Sequence, residues 1–551
     1  MAGEIELILE LDDDQRRLRI DGNTTDSVAD ILASHDLPLN TRCGQRALCD
    51  GCVVELSRGR LIHKDTGEAI EAGAEPVSLQ SCEHRVAGED VTLRVPARSL
   101  LMHEPRVVDT FRLNVPHGLD PLLGVRTGLG VAVDIGTTTV AVALVDLSDG
   151  QIVARANGFN RQMHLGDNVL TRINYCQAGD EPVREMQHAV VERTLEPLIA
   201  RALKDIDASM DDVVGVVAAG NTTMQCLLAG VDPSPMGFVP FTPPFLDHRV
   251  MTGNDIGATT LGDRPIHLLP GAAAYVGADL TAGALSSGLL YDDGPSMLVD
   301  VGTNGEILLR WRDQVYGCAT AAGPAFEGAG LACGVRAGDG AISHITIHNN
   351  GQGADLRLEM IGDDNPKTKH LGLCGTAYID MLSEGRRAGL LTATGRFAPD
   401  VDGRLAERIA AYEHGGRQIR IAYGRGKEPI VISEYDFASL LQAKAAIAAG
   451  ILTLLHRVGL EPQQVKTLYL AGGFGMNMSL PSAIGCGLLP GFTLDQVQLV
   501  GNTSLAGAYL ALVDRGCVHE IARAGEHMHV IELNLDSMFE DRFVEQLELP
   551  G

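Results

Sequence analysis

The residues best suited to do chemistry lie in a short polar turn between two apolar strands, Val131-Ala132-Val133-Asp134-Ile135-Gly136-Thr137-Thr138-Thr139-Val140-Ala141-Val142. One carboxylate, one glycine and three hydroxyls at the tip of a β-hairpin suit an anion accompanied by a hydrated cation. Gly136 admits a phosphate close to the backbone. Thr137, Thr138 and Thr139 can donate to its oxygens, and Asp134 can hold Mg²⁺ directly or through water. The design recurs at Leu298-Val299-Asp300-Val301-Gly302-Thr303-Asn304-Gly305-Glu306-Ile307-Leu308-Leu309. A repeated hairpin predicts two related lobes offering their turns to one shared nucleotide.

A second set of chemical residues precedes these. Cys43, Cys49 and Cys52 crowd one glycine-bearing stretch, and Cys82 follows after 29 intervening residues. Four thiolates on a loop between strands are what a [2Fe–2S] cluster needs, two sulfurs for each iron. Structural zinc is the competing reading, but its ligands usually arrive as separate Cys-x2-Cys knuckles. The other seven of the eleven cysteines are scattered singly and read as small hydrophobes.

The elements that must position these groups can be read from periodicity. Residues 1–97 form a compositional unit of strands, such as 5–10 and 17–20, and one short helix at 27–34. Prolines 96, 105, 116 and 121 mark 98–128 as a semi-independent linker. A first lobe is expected over 129–290, with a third strand at 151–156, a long amphipathic helix at 184–203 and a buried strand at 213–218. That strand runs into Gly220-Asn221-Thr222-Thr223, at the end of a strand where α/β sheets place ligands, or else a plain helix cap. A proline-rich excursion over 233–247 and a small-residue helix over 271–287 complete the lobe.

The second lobe is expected over 291–551, with a polar insertion around 335–430. Its Gly-rich stretch 321–330 carries Glu327, and a helix is predicted over 433–456. A strand at 466–471 runs into Gly472-Gly473-Phe474-Gly475, where adjacent glycines let backbone lie flat against a base or ribose. A last helix at 503–515 precedes an acidic tail.

The whole chain sets bounds. Its 551 residues are 45% hydrophobic and 21% charged with 64 glycines, as in a loop-rich α/β protein. A formal net charge of −27 and only 4% aromatic residues argue against nucleic acid, and the charge argues against anionic membrane surfaces. No stretch reads as long enough to span a bilayer and no signal peptide opens the chain, so a cytoplasmic location is expected.

With these pieces assembled, the sequence resembles the ATP-dependent reductive activators of corrinoid proteins. These join an N-terminal [2Fe–2S] ferredoxin domain of the β-grasp type to an ATPase of the acetate kinase, sugar kinase, Hsp70 and actin superfamily, built from two ribonuclease-H-like lobes. The cysteine loop is similar to the longer loop of adrenodoxin-like ferredoxins. In superfamily terms, 134–139 matches the first phosphate motif, 300–306 the second and 472–475 the adenosine motif. The resemblance implies ATP, Mg²⁺ and a [2Fe–2S] cluster on Cys43, Cys49, Cys52 and Cys82. It implies Asp134 and Asp300 positioning Mg²⁺ and water, with Glu306 or Glu327 as the water-activating base.

The implied partners are a corrinoid protein of a methyltransferase system, returned from Co(II) to Co(I), and an upstream low-potential electron donor. The oligomeric state is left open, a homodimer included. Two other readings stand beside this one: a small-molecule kinase with a fused redox-sensing ferredoxin domain, and a nucleotide-gated interaction protein without turnover.

Overall fold

The computed structural model describes residues 4–11, 14–35, 37–39, 41, 45, 47, 51–96, 99–100, 108–302, 304–328, 330–349, 354–362, 370–401, 403–412, 415–424 and 429–551. Cys43, Cys49 and Thr303 lie outside them.

The amino-terminal region is a five-stranded mixed sheet in the order Asp14–Asp21, Glu4–Leu11, Val91–Arg94, Val53–Arg58, Val77–Gln80. Glu4–Leu11 runs parallel to Val91–Arg94, and the other pairs are antiparallel. Alternate residues Ile5, Leu7 and Leu9 point inward against the short helix Val28–Ser34, whose Ser27 cap and Asp30 form a reciprocal capping box.

Two six-stranded sheets follow, built on one plan. In the first, Leu129–Ile135, Thr139–Asp146 and Ile152–Phe159 form an antiparallel meander, with Val213–Gly220 added parallel to the first strand. In the second, Ser296–Val301, Gly305–Trp311 and Gln314–Thr320 form the meander, with Thr467–Ala471 parallel to its first strand. The echo seen in sequence is therefore a repeat of topology.

Period-2 alternation divides the first sheet cleanly. Val131, Val133, Val140, Val142 and Leu144 face the helical stretch 180–204, while Ala132, Ala141, Ala143 and Val145 face the helices Ala278–Ser286 and Thr503–Val513. The Ala278–Ser286 helix also packs Leu280 and Ala284 against Leu298 and Leu308 of the second sheet. Small residues on that helix let both sheets approach it.

Several sequence expectations need correction. The long helix is interrupted by a π turn at Val191–Leu195, between Asp180–Val190 and Glu196–Lys204. The small-residue helix begins only at Ala278, because Ala273 and Val276 first form an isolated bridge. The expected acidic tail instead holds the helices Gly516–Glu526 and Ser537–Glu545, the second packed on Glu434–Arg457. Among the described residues one helix, the 24-residue Glu434–Arg457, is long and apolar enough to cross a membrane by composition alone. It is apolar nearly all round because the second lobe buries most of it, including Phe437, Ile447, Ile451 and Leu454.

The described part of the proline-marked stretch, 108–128, is packed. Phe111 bridges Gly501, Leu122 N–H donates to Leu512 O, and Val115 joins the core under Thr503–Val513.

Candidate nucleotide and metal site

The two repeated hairpins meet at one cavity of about 400 Å³. Asp134 and Asp300 are each the penultimate residue of their strand, Leu129–Ile135 and Ser296–Val301, so the shared topology brings both carboxylates to the same place. Thr137, Thr138, Thr139, Gly136, Asn221, Gly302, Asn304, Glu306, Glu327, Gly472 and Gly473 line it with them. Gly220, Gly305 and Gly475, expected as ligand contacts, stand behind the lining. A Cβ on Gly220 would meet Ile135 O at 2.7 Å, and one on Gly305 would meet Ile447 Cγ1 and Thr320 Oγ1 at 2.6 Å. Gly475 is buried against Leu470. These three glycines serve close packing.

The first turn is held from behind. Asn160 Nδ2 donates to Gly136 O at 2.9 Å, and the buried Arg172 guanidinium donates to Thr137 O, Gly166 O and Gln162 Oε1. Burial pulls the Arg172 pKa down to about 9, so the guanidinium stays charged at neutral pH. The tight turn requires glycine at 136, where a Cβ would sit 2.5 Å from Thr139 O.

The short turn Arg161–His164, capped by Asn160, also reaches the amino-terminal region. There His164 Nδ1 and Thr41 Oγ1 are 3.2 Å apart.

Among the described residues five carboxylates line the cavity: Asp134, Asp279, Asp300, Glu306 and Glu327. Asp134 accepts from Ser504 Oγ at 2.7 Å and Asn502 Nδ2 at 2.8 Å, yet burial outweighs both and raises its pKa. Burial, then Asp279 and Asp134, push Asp300 up to about 7. Asp279 is raised by burial and by Asp134, against the Leu280 N–H it accepts at 2.9 Å. Glu306 faces Asp300 directly across the ladder and is raised by burial, Asp279 and Asp300. Glu327, from the second lobe, accepts from Thr138 Oγ1 of the first at 3.0 Å.

A divalent cation would relieve the mutual repulsion of these groups, and the all-oxygen donor set suits Mg²⁺. Among the described residues no three His, Cys, Asp or Glu side chains converge as a ready-made cage.

Beside Asp300 the Gly472 backbone has φ +89°, and a Cβ there would run into Asp300 Oδ1 and Val301 O. Phe474 stacks on Phe326 with ring centroids 5.2 Å apart, beside Cys374, Gly375 and Thr376. Aromatic and glycine surface here suits a flat base.

Sequence reasoning missed Asp279, Asn502 and Ser504. A signal existed for the last two. The strands Val213–Gly220 and Val497–Gly501 both end in Gly-Asn-Thr, and each asparagine caps the helix that follows. The side chain of Asn221 also donates to Thr137 Oγ1 at 3.0 Å and that of Asn502 to Asp134, so each is both a helix cap and part of the site.

In the amino-terminal region, Ser81 N–H donates to Cys52 O at 3.1 Å where the strands Val53–Arg58 and Val77–Gln80 pair. This brings buried Cys52 and Cys82 to one end of that ladder. Gln45 and Ala47 both have φ +57°. Left-handed backbone at non-glycine positions points loop N–H groups in directions that an ordinary strand does not.

Comparison with known proteins yields one consistent group. Residues 129–292 match the family model described as the RACo middle region, and 294–551 match the C-terminal domain of RACo, the ASKHA domain. A corrinoid activation enzyme, RamQ of Eubacterium limosum, is 28% identical over 593 aligned positions, covering 95% of this chain and 96% of that protein. The [Co(II) methylated amine-specific corrinoid protein] reductase of Methanosarcina barkeri is 26% identical over 404, covering 71% of each. The solved structure of a reductive activator for a corrinoid, iron-sulfur protein superposes with a TM-score of 0.72 at 27% identity, covering 100% of this chain and 99% of that one.

Proposed function

This chain belongs to the RACo family, and on that premise we propose that it is an ATP-dependent reductive activator. It passes one electron to the Co(II) corrinoid of a methyltransferase corrinoid protein and restores Co(I). One observation carries the reading. Asp134 and Asp300, one from each repeated hairpin, share one cavity on a chain whose sequence carries the Cys43, Cys49, Cys52 and Cys82 set ahead of both lobes.

The region 1–97 is read as a β-grasp ferredoxin domain, 98–128 as its connector, and 129–290 and 291–551 as the two ATPase lobes. The burial of Cys52 and Cys82 at one ladder end supports this reading. A [2Fe–2S] cluster on the four cysteines would supply the single electron. Nucleotide binds between the lobes, with Thr137, Thr138, Thr139 and the 302–304 turn on the phosphates and Gly472 and Gly473 against the adenosine. Asp134 and Asp300 hold Mg²⁺ jointly with phosphate and water. Glu327 orients the attacking water, because its carboxylate already sits on the phosphate turn through Thr138. Glu306, whose buried position favours the uncharged form, suits that role less.

For a one-electron step each 59 mV of unfavourable potential is a factor of ten, so a gap of about 200 mV needs coupling of about 5 kcal/mol. ATP supplies it by changing how the two lobes, and through them the corrinoid partner, are held. The direct test mixes the reduced protein with a Co(II) corrinoid protein and follows the Co(I) absorption band. The band is expected only when MgATP is added. Equal reduction without nucleotide, or none with it, overturns the proposal.

A further inference from the structure

The strand Ala341–Asn349 departs from regular pairing where it borders the cavity. Ile342 stands opposite Met360 and His344 opposite Glu359, so Ser343 is an extra residue in the ladder. Such a bulge re-aims side chains. Here it keeps Ile342 and Ile345 both in the core while Ser343 and His344 both line the cavity. His344 is braced from behind. Its Nδ1 lies 2.8 Å from Oδ2 of Asp380, which also accepts from Ile345 N–H at 3.2 Å. Asp380 is only 2% exposed, and its Oδ1 is buried with no hydrogen-bond partner among the described residues. A buried carboxylate left half-satisfied costs stability, and the side chain it holds is this imidazole.

The pairing fixes the chemistry of the ring. An ionised carboxylate only accepts, so Nδ1 carries the hydrogen and Nε2 of the neutral imidazole offers a lone pair. Asp380 holds the ring from the buried side, which turns Nε2 to the open side of a side chain that is 30% exposed; among the described residues it has no partner there. Of the nucleotide's own groups, ionised phosphates have no hydrogen to give to that lone pair, whereas an amino group on the base does. His344 also stands on the aromatic side of the cavity. Thr376 Oγ1 donates to Ser343 O at 2.5 Å, and a Cβ on the neighbouring Gly375 would lie 2.8 Å from Phe474 Cε2. We propose that His344, held in one tautomer by Asp380, accepts a hydrogen bond from the exocyclic amino group of adenine and makes the site selective for adenine over 6-oxopurine nucleotides. This rests on the nucleotide reading above. Hypoxanthine or guanine brings a carbonyl oxygen to the same lone pair, acceptor against acceptor.

The test is equilibrium binding of ADP, inosine diphosphate and 2′-deoxy-ADP, with Mg²⁺ and at about pH 8.5 to keep the imidazole neutral. It uses the full-length protein and its H344F, H344Q and D380N variants. The unsubstituted protein is expected to bind ADP about tenfold or more tightly than inosine diphosphate, and H344F to bring the two within about twofold by weakening ADP. H344Q should recover part of the preference, since its amide oxygen can accept. D380N lets Nδ1 accept from the new amide, which puts the hydrogen on Nε2 and should move the preference toward inosine diphosphate. Thermal unfolding of each variant without ligand separates binding from folding, and D380N remains informative if H344F is destabilised. Equal affinity of the unsubstituted protein for ADP and inosine diphosphate, or equal weakening of both by H344F and by D380N, overturns the assignment and leaves the nucleotide reading standing. So does a loss in H344F confined to discrimination against 2′-deoxy-ADP, which would place the ring on the ribose. Failure of the unsubstituted protein to bind any of the three nucleotides overturns both readings.

Discussion

Ser504 donates a 2.7 Å hydrogen bond to Asp134 across 370 residues of sequence. Asn502 donates to the other carboxylate oxygen, so the first residue of the phosphate turn is oriented by the start of a helix near the end of the chain. Replacing Ser504 by Ala should cost about 1 kcal/mol of stability and lower ATP affinity modestly. Replacing Asp134 by Asn or Asp300 by Ala should reduce ATP turnover by roughly a hundredfold or more, as expected for losing a group that organises transition-state charge. Phosphate release measures the turnover. The iron–sulfur absorption should not change, and its loss in these variants would count against separate sites.

The raised carboxylates give a pH dependence of definite sign. With its folded pKa at about 7 against an ordinary 3.8, Asp300 binds more protons folded than unfolded between those values. Its contribution to stability therefore falls as pH rises through that window and stays low above it. A cation favours the charged form, so added Mg²⁺ should stabilise the protein more at pH 8 than at pH 5.5. Thermal unfolding with Mg²⁺ and with chelator, at both pH values, checks this; a shift that does not grow with pH contradicts it.

The cysteines and the cavity should be separable by substitution. Serine at Cys43, Cys49, Cys52 or Cys82 is expected to abolish or grossly alter the iron–sulfur absorption while leaving nucleotide binding within about twofold. An intact spectrum in any of the four would remove that residue from the ligand set.

Gly472 has no room for a side chain. Its positive φ and the approach of Asp300 Oδ1 and Val301 O make Gly472→Ala strained by about 1–3 kcal/mol. Nucleotide affinity should fall at least tenfold with it, because relief of the clash moves either Asp300 or the 472–473 backbone. Titration with a fluorescent ADP analogue reads this directly.

Arg172 bears on the same turn from beneath. Arg172→Met removes the donor to Thr137 O, Gly166 O and Gln162 Oε1 together, leaving buried acceptors unsatisfied. A loss of about 3 kcal/mol or more is expected by urea unfolding. A loss below about 1 kcal/mol would mean that water replaces the guanidinium.

The hairpins were legible because everything that makes them is local: alternating apolar residues, a glycine and hydroxyls within a dozen positions. The repeat was legible for the same reason. Asp279, Ser504 and His344 were not, because each enters the cavity from a different element, and only packing brings those elements together. The helix Glu434–Arg457 was recognised to within a residue at each end, but its span-like apolarity was not, since burial on nearly every side removes the amphipathic stripe that marks a globular helix. Composition misled at 516–545, where acidic residues on exposed faces masked helices that pack through Val518, Ile521 and Phe539. The contact between Thr41 and His164, 123 residues apart, leaves no periodicity to read.

The packing of Thr503–Val513 on the first sheet bears on the order in which the chain matures. Ala132, Ala141, Ala143 and Val145 are covered by Leu505, Ala508 and Leu512, among others. One face of the first lobe therefore lacks part of its cover until more than 500 residues have been synthesised, while the opposite face is complete soon after residue 270. A ribosome that stalls or terminates before that helix emerges presents a half-covered sheet with apolar surface open to misassociation. Emergence of the Thr503–Val513 helix is thus the step that commits the earlier-made lobe to its native state.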